Sequence, residues 1–535
     1  MNGSKEHDQI CDAIVIGAGF AGMYMLHVLR EAGLSAIAFE TGGDVGGTWY
    51  WNRYPGARCD TESLFYSYQF DEALQQDWNW TERYPAQPEI LQYAQHVAHR
   101  FDLKRNINFN TKVTDALWDE NAQLWNVSTN KGAHKRCRFL ISAVGCLSAV
   151  NVPDIDGLDD FKGEYYQTGL WPREGVNFRD KTVAIIGTGS SAIQSIPVIT
   201  EQARHVTVFQ RTANYVVPAQ NRPLDPTEVA KIKSDYPSLR AKAKATYSGN
   251  IFPTGGSSAL DVSPEERVQE YENRWRAGGL GLMGAFQDLQ SNQASNETAA
   301  DFVRNKIREI VKDPEVARKL TPTNTFGCKR LCVATNYYET YNRGNISLID
   351  LNDTPIQRIT SNGVRTTRQD HDVDILILAT GFDAMTGALN RINIQGTGGE
   401  KLRDTWRDGP VTYLGLGVHG FPNMFTITGP GSPSVLTNMI PTIEQHVNLI
   451  GKCLISMSKK NASRIEASAS AQDDWVAYNA ELANRSLRVT CNSWYLGANV
   501  TGKPRVFMPF VGGLPAYIEK CEEIVRDDFK GFLIT

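Results

Sequence analysis

Two glycine-rich turns carry the first chemistry that this chain can do. One is Gly17-x-Gly19-x-x-Gly22, with Phe20 inside it, and the other is Gly187-x-Gly189-x-x-Ala192, with Thr188, Ser190, Ser191 and Ile193 around it. Glycines at this spacing permit a tight turn and bring backbone close to a pyrophosphate, whose charge the following helix N-terminus stabilises. A single such turn is a weak signal, but two in one chain, each between a strand pattern and a helix pattern, are a strong one. The residue at one fixed distance beyond each turn separates the two ligands. Beyond Gly17 it is Glu40, whose carboxylate suits ribose hydroxyls; beyond Gly187 it is Gln210, followed by Arg211 and Thr212. A guanidinium in place of the acid suits a 2′-phosphate and therefore NADP. The bland alternative, a solvated strand-end charge at Arg211, leaves unexplained why the replacement falls at the phosphate position.

Directly after Glu40 comes TGGDVGGTWYWNRYPGARCD, whose glycines and aromatics suit a loop over a flavin ring. FAD in the first unit and NADPH in the second would bring two redox rings together where the units meet, for hydride transfer from NADPH to flavin.

The elements that must position these residues are legible as a repeated plan. DAIVIGAGFAGMYMLHVLREAGLSAIAFE and KTVAIIGTGSSAIQSIPVITEQARHVTVFQR each read as strand, turn, helix and strand. The fold class is therefore α/β, with two Rossmann-like dinucleotide-binding domains. Between the second unit and Gly327 the pattern turns helical: Ser263-Pro264 and Asp313-Pro314 are helix starts, and Phe302, Ile307, Ile310 and Val311 lie on one helical face. The expected division is 1–151 for the first part of the FAD domain, 152–220 for the NADP domain, 221–328 for a helical insertion, 329–385 for the rest of the NADP domain and 386–535 for the rest of the FAD domain. Linkers are expected near Val152–Pro153 and Met385–Gly387.

Bulk properties narrow the function classes. The chain has 535 residues, 41% hydrophobic and 21% charged, with a net charge of −4, so nothing suggests a nucleic-acid or anionic-membrane surface. MNGSKEHDQI lacks the apolar stretch of a signal peptide, and no run is long enough to span a membrane. Nine cysteines lie scattered, which predicts a cytoplasmic protein with reduced thiols. Cys59 has no near neighbour, and Cys328 and Cys332 lack C-x-x-C spacing, so none reads as a redox pair. The histidines form no metal-ligand cluster, and no metal is assigned. Oligomeric state leaves no mark.

Longer motifs then resemble the type I Baeyer–Villiger monooxygenases, and in particular the phenylacetone and steroid monooxygenase branch. Gly47, Trp49, Tyr54, Pro55, Gly56 and Asp60 match one family motif; Phe161, Gly163, Trp171 and Pro172 match the fingerprint; Ala379, Thr380 and Gly381 match a third. The likeness covers nearly the whole chain. It implies FAD, NADPH and O2 as cofactors and co-substrate, and conversion of aryl, cyclic or steroidal ketones to esters or lactones through a C4a-peroxyflavin. It implies that Arg330 is the cation at the reaction centre, that Asp60 pairs with it, and that Lys329 lies near the NADP 2′-phosphate. It assigns Gly17, Gly19, Phe20, Gly22, Glu40, Thr48, Trp49, Tyr66, Val113 and Met439 to FAD. Gly187 through Ile193, Arg211 and Thr212 are assigned to NADP, and Trp494 to a mobile loop over the cofactor. Ser434, Val435 and Leu436 fall in the ketone pocket.

Two departures stand out. Gln167 occupies the fingerprint's histidine position, and Ala334 stands where many relatives carry a carboxylate. Glutamine does not titrate but can both donate and accept, so a hydrogen-bonding role survives the change. Three alternatives remain beside the ketone monooxygenase: a related enzyme acting mainly on sulfur or nitrogen, an uncoupled NADPH oxidase, and a nucleotide-binding protein without catalysis.

Overall fold

The computed structural model describes residues 10–535, so the MNGSKEHDQI segment lies outside the described residues except for Ile10. The first unit runs β1 (Ile10–Ile16), α1 (Phe20–Glu31) and β2 (Ala36–Phe39). Ala13 through Ile16 are buried without alternation, as a parallel strand covered on both faces requires. β1 pairs parallel with β2 and with His134–Ser142. The sheet runs Asn393–Gln395, Val113–Asp119, Leu124–Thr129, His134–Ser142, β1, β2 and Ile107–Asn108, with Met424–Thr426 also paired to His134–Ser142. Strands from both ends of the chain thus share one sheet. The long helix Met439–Lys459 covers it, its Val447, Ile450 and Leu454 sharing one core with Met23 and Leu26 of α1.

The second unit repeats the plan as β3 (Thr182–Ile186), α2 (Ser190–Thr200) and β4 (His205–Gln210). Its sheet is parallel throughout, in the order Ile346–Asp350, β4, β3, Ile375–Leu378 and Glu164–Gln167. The chain passes between the sheets twice, and the two passages are laced together. Asn151 N donates to Gly381 O at 3.0 Å, and Thr380 Oγ1 donates to Asn151 O at 2.7 Å.

The helical stretch begins at its expected caps. Ser263 accepts from Glu266 N in a full capping box, and Asp313 caps Pro314–Leu320. Phe302, Val303 and Ile307 of Gln293–Ile310 enter the core of the second unit. The stretch does not, however, belong to that unit alone. Pro226–Ser234 and Tyr236–Lys244 pack on the first unit: Lys233 Nζ donates to Gln76 O and Trp78 O, both at 2.7 Å, and Arg240 donates to Ser67 Oγ at 2.7 Å. The insertion therefore straddles the two units. Among the described residues no helix is long and apolar enough to cross a membrane.

The cysteines depart from the expectation of reduced thiols. Cys328 and Cys491 are joined by a disulfide, with Cα atoms 6.0 Å apart, while Cys11, Cys59, Cys137, Cys146, Cys332, Cys453 and Cys521 are free. Inspection of neighbouring cysteines could not find this pair, because its partners are 163 residues apart in sequence. They meet because the C-terminal segment folds back over the turn that precedes Lys329.

Candidate active site

Each glycine turn is built for close approach to a ligand. Gly17 has φ +105°, and a Cβ there would lie 2.6 Å from Ala143 O; at Gly22 it would lie 2.0 Å from Gly17 O. α1 begins at Gly19 with no side chain capping its free N–H groups, which leaves them for a phosphate. Glu40 is buried, and its carboxylate accepts from Ala18 N at 2.7 Å and Gly42 N at 2.6 Å. Burial pushes its carboxyl above the usual range, against the pull of those two amides. The loop after Glu40 folds back on the turn, where a Cβ on Gly47 would lie 2.8 Å from Gly19 Cα. Thr48 opens the short helix Thr48–Trp51, and Trp49 Nε1 donates to Tyr66 Oη at 3.0 Å. Val113 is buried at the start of its strand. These features make a cradle that fits FAD: a tight turn that only glycine allows, free amides at the helix start, and an acid at the strand end.

The second turn fits NADP in the same way. Gly187 has φ +111°, and its Cβ would meet Ala379 O at 2.5 Å; Gly189 has open space where its side chain would be, and α2 begins there without a side-chain cap. Thr188 Oγ1 donates to Thr212 O at 2.9 Å and so shapes the loop after β4. Gln210 is turned away, its Nε2 donating to Lys319 O at 2.7 Å. Arg211 is exposed, and no hydrogen bond or ion pair engages its guanidinium among the described residues. Lys329 converges on it from the other side. Burial, and then the Arg211 charge, hold the Lys329 amine below its usual range. Two cations that repel one another, neither side chain in a hydrogen bond or ion pair among the described residues, are the polar lining that a dianionic phosphate needs.

Asp60 and Arg330 meet between these cradles. Arg330 Nε donates to Asp60 Oδ2 at 2.8 Å and Nη2 to Oδ1 at 2.9 Å, a two-toothed pair, while Nη1 donates to Val435 O at 2.6 Å. Burial works against the charge, but Asp60, with Tyr495 as a further hydrogen-bond partner, raises the guanidinium well above its already high range. Neither side chain is sealed in: Arg330 is 27% and Asp60 21% exposed. Arg330 reaches this point because Cys332–Ala334 pairs in parallel with Val216–Pro218, fixing the turn just before it. Ala334 is buried in that strand, its carbonyl accepting from Ala219 N.

Asp60 is held by a dock between the units. Tyr54 Oη donates to Gln194 Oε1 at 2.9 Å, Gln194 Nε2 donates to Arg58 O at 3.0 Å, and a Cβ on Gly56 would lie 2.3 Å from Gln194 O. The Tyr54-Pro55-Gly56 loop is thus pressed onto α2, and Asp60 follows it. Gln194 carries no mark in the sequence, because its part is a contact with a loop distant in the chain.

The remaining candidates gather around Arg330. Val435, Leu436, Met439 and Trp494 share one apolar cluster with Cys146, Met385, Tyr495 and Met508. Ser434 is buried with φ +43°, so the Ser434–Leu436 turn is held in a left-handed bend that projects Val435 O towards Arg330. Trp494 lies against Tyr495, ring centroids 4.2 Å apart. Tyr495, Met385 and Cys146 were not foreseen.

The fingerprint lies elsewhere. Gln167 ends Glu164–Gln167 at the edge of the second sheet, paired with Leu378, directly before Ala379, Thr380 and Gly381. Its Nε2 donates to Tyr165 Oη at 2.5 Å, while Oε1 is buried without a partner. Phe161 joins the core on one side of that sheet, and a Cβ on Gly163 would strike its ring. Trp171 is buried against Tyr166 and Phe178, with Pro172 beside it. A Cβ on Gly169 would strike Val150 and Phe382. The whole segment therefore braces the two passages between the sheets rather than the Asp60–Arg330 pair.

Two dinucleotide cradles and a half-buried, carboxylate-paired cation define a flavin- and NADP-using oxidoreductase. The comparisons agree with that class. Residues 11–233 match the flavin-binding monooxygenase-like family. A Baeyer–Villiger monooxygenase of Pseudooceanicola batsensis is 44% identical, over 98% of this chain and 96% of its own. A phenazine N-monooxygenase of Lysobacter antibioticus is 42% identical, over 98% and 97%. The solved structure of an oxidised steroid monooxygenase bound to NADP superposes with a TM-score of 0.94 at 48% identity, over 98% of this chain and 99% of that one. The chain belongs to the Baeyer–Villiger monooxygenase family and is an FAD- and NADPH-dependent enzyme.

Proposed function

We propose that this enzyme inserts one oxygen atom of O2 beside the carbonyl of an aryl, cyclic or steroidal ketone, giving an ester or lactone, with Arg330 and Asp60 at the reaction centre. The observation that carries the reading is the two-toothed Asp60–Arg330 pair, with its third arm on Val435 O. Bound flavin, reduced by NADPH, supplies the activated oxygen. Attack on the ketone builds negative charge on its carbonyl oxygen, and a guanidinium answers that charge without moving a proton. Asp60 holds the guanidinium in one plane, so little reorganisation is needed as charge develops. Val435 O fixes the remaining nitrogen and ties the pocket turn to the same cation. Lys329 and Arg211 bind the 2′-phosphate, and Trp494 covers the site. Gln167, whose side chain bonds only to Tyr165 in its own strand, acts as part of the second sheet's edge and not as an acid or base.

The test is Arg330→Ala. Flavin reduction by NADPH should persist, while ester formation falls by about a hundredfold or more, as for loss of a preorganised donor. Equal loss of both steps would contradict the role given to Arg330. A second reading, oxygenation of nitrogen, is favoured by the likeness to the phenazine N-monooxygenase. It needs no cation at a carbonyl oxygen, so product formed from an aromatic amine or N-heterocycle by Arg330→Ala at the parent rate would support it.

A further inference from the structure

We infer that Cys328 and Cys491 are a reversible thiol–disulfide staple that fixes the Trp494–Tyr495 segment onto the Lys329–Arg330 turn, closed by hydrogen peroxide and opened by thiol reductants. Its effect on NADP rests on the proposed function; the staple itself does not. Cys328 immediately precedes Lys329, and Cys491 lies three residues before Trp494. The bond is the one covalent tie, besides the main chain, between the C-terminal segment and the arginine turn among the described residues.

The surrounding contacts explain why the tie matters and how it can form again. On the arginine side Leu487 N donates to Gln290 O at 2.9 Å, Thr490 Oγ1 to Thr325 Oγ1 at 2.9 Å, and Arg488 Nη1 to Gly327 O at 3.3 Å. The Thr490–Thr325 contact is exposed and weak, while the Arg488–Gly327 bond is buried, and together they keep the two sulfurs within reach after reduction. On the other side Asn499 Nδ2 donates to Phe382 O at 2.7 Å, and Lys503 Nζ to Asp383 Oδ1 at 2.5 Å. The segment is thus strung between the passage at 382–384 and the turn before Lys329, with Trp494 and Tyr495 in between. Cutting the staple frees the end nearer those two aromatics.

The two sulfurs differ in access. Cys328 is fully buried and Cys491 partly exposed, so exchange begins at Cys491. Its thiolate attacks one peroxide oxygen, expels hydroxide and becomes a sulfenic acid; Cys328 thiolate then displaces hydroxide from that sulfur. In sum two thiols lose two electrons and two protons, and peroxide becomes two waters. Reductant thiolate attacks the bond at Cys491, with Cys328 thiolate leaving, and a second reductant thiolate then displaces Cys491 thiolate, so the reductant leaves as its own disulfide. Cys59, Cys146 and Cys332 lie near the same site but are buried and free, and burial pushes the Cys332 thiol up to about 11; Cys328 is as buried, but it reacts through the partly exposed sulfur of Cys491 beside it.

The experiment compares the whole protein, without added cofactor, after dithiothreitol and after hydrogen peroxide. Thiols are trapped for peptide mass spectrometry, and amide hydrogen exchange is followed over 486–505. A linked Cys328–Cys491 peptide after peroxide is expected, with exchange in 486–505 about tenfold faster in the reduced state. Cys491→Ser should exchange fast in both states and ignore peroxide. Free, fully alkylated Cys328 and Cys491 after peroxide, or the same exchange in both redox states, would overturn the proposal. With NADP added, reduction should speed cofactor release several-fold. Loss of ester formation in both states, with linkage and exchange as expected, would instead strike the proposed function and leave the staple standing.

Discussion

At the scale of single residues, the chemistry depends on cations that differ in whether a side chain pairs with them. Arg330 has all three nitrogens engaged, two of them by Asp60. Asp60→Asn keeps the shape but removes the counter-charge, so the guanidinium is held less firmly. Ester formation should fall by roughly ten- to a hundredfold while the affinity for NADPH hardly changes. Lys329 and Arg211 are the opposite case: the Arg211 charge works against the Lys329 charge, and no acid pairs with either among the described residues. Lys329→Ala or Arg211→Ala should each raise the KM for NADPH about tenfold, with little change for NADH, a difference of roughly one charge-assisted hydrogen bond. Equal losses with both nucleotides would refute the 2′-phosphate assignment. Arg211 was legible in the sequence because it replaces an expected acid at a fixed distance from a turn. Arg330 and Asp60, 270 residues apart, were legible only through the family's motifs. Gln194, Tyr495 and Cys491 were not legible at all, because their parts are long-range contacts that neither periodicity nor spacing records.

At the scale of elements, the two turns make opposite predictions for the same substitution. Gly22→Ala places a Cβ 2.0 Å from Gly17 O, so α1 must move away from its turn. The purified protein should then hold less than about a tenth of the parent's flavin, a loss well within what backbone displacement at a phosphate site brings. Gly189→Ala meets nothing within 4 Å and has an ordinary negative φ. That variant should fold and keep its flavin, and show only a raised KM for NADPH, where a ligand's pyrophosphate would meet the new methyl. Flavin-to-protein ratios and NADPH titrations check both. These turns, their strands and the caps at Ser263 and Asp313 could be read directly, since each depends on residues a few positions apart. The straddling of the insertion could not be, because the apolar face of Tyr236–Lys244 does not say which neighbour will cover it.

At the scale of the whole molecule, one buried acid sits where three parts join. Glu444, on Met439–Lys459, is 4% exposed and accepts from Gln69 N at 2.6 Å, with Arg240 and Lys244 of the insertion nearby. Burial pushes its carboxyl up to about 7, well above the unfolded value of 4.5. The folded state therefore binds this proton more tightly, and stability falls as pH rises from 4.5 to about 7 and then levels off. Glu444→Gln keeps an acceptor without the charge. It should match the parent near pH 4.5 and exceed it above pH 7 by on the order of 1–3 kcal/mol in denaturant unfolding. A gain that does not depend on pH would contradict the assignment. The two units meet instead at the Asp60–Arg330 pair, and on that meeting the proposed reaction rests. The most direct test is turnover of a ketone with NADPH under 18O2, followed by mass spectrometry of the product against NADPH consumed. An ester or lactone carrying one 18O atom is expected for nearly every NADPH. NADPH consumed with labelled hydrogen peroxide as the only product, however the ketone is varied, would contradict it.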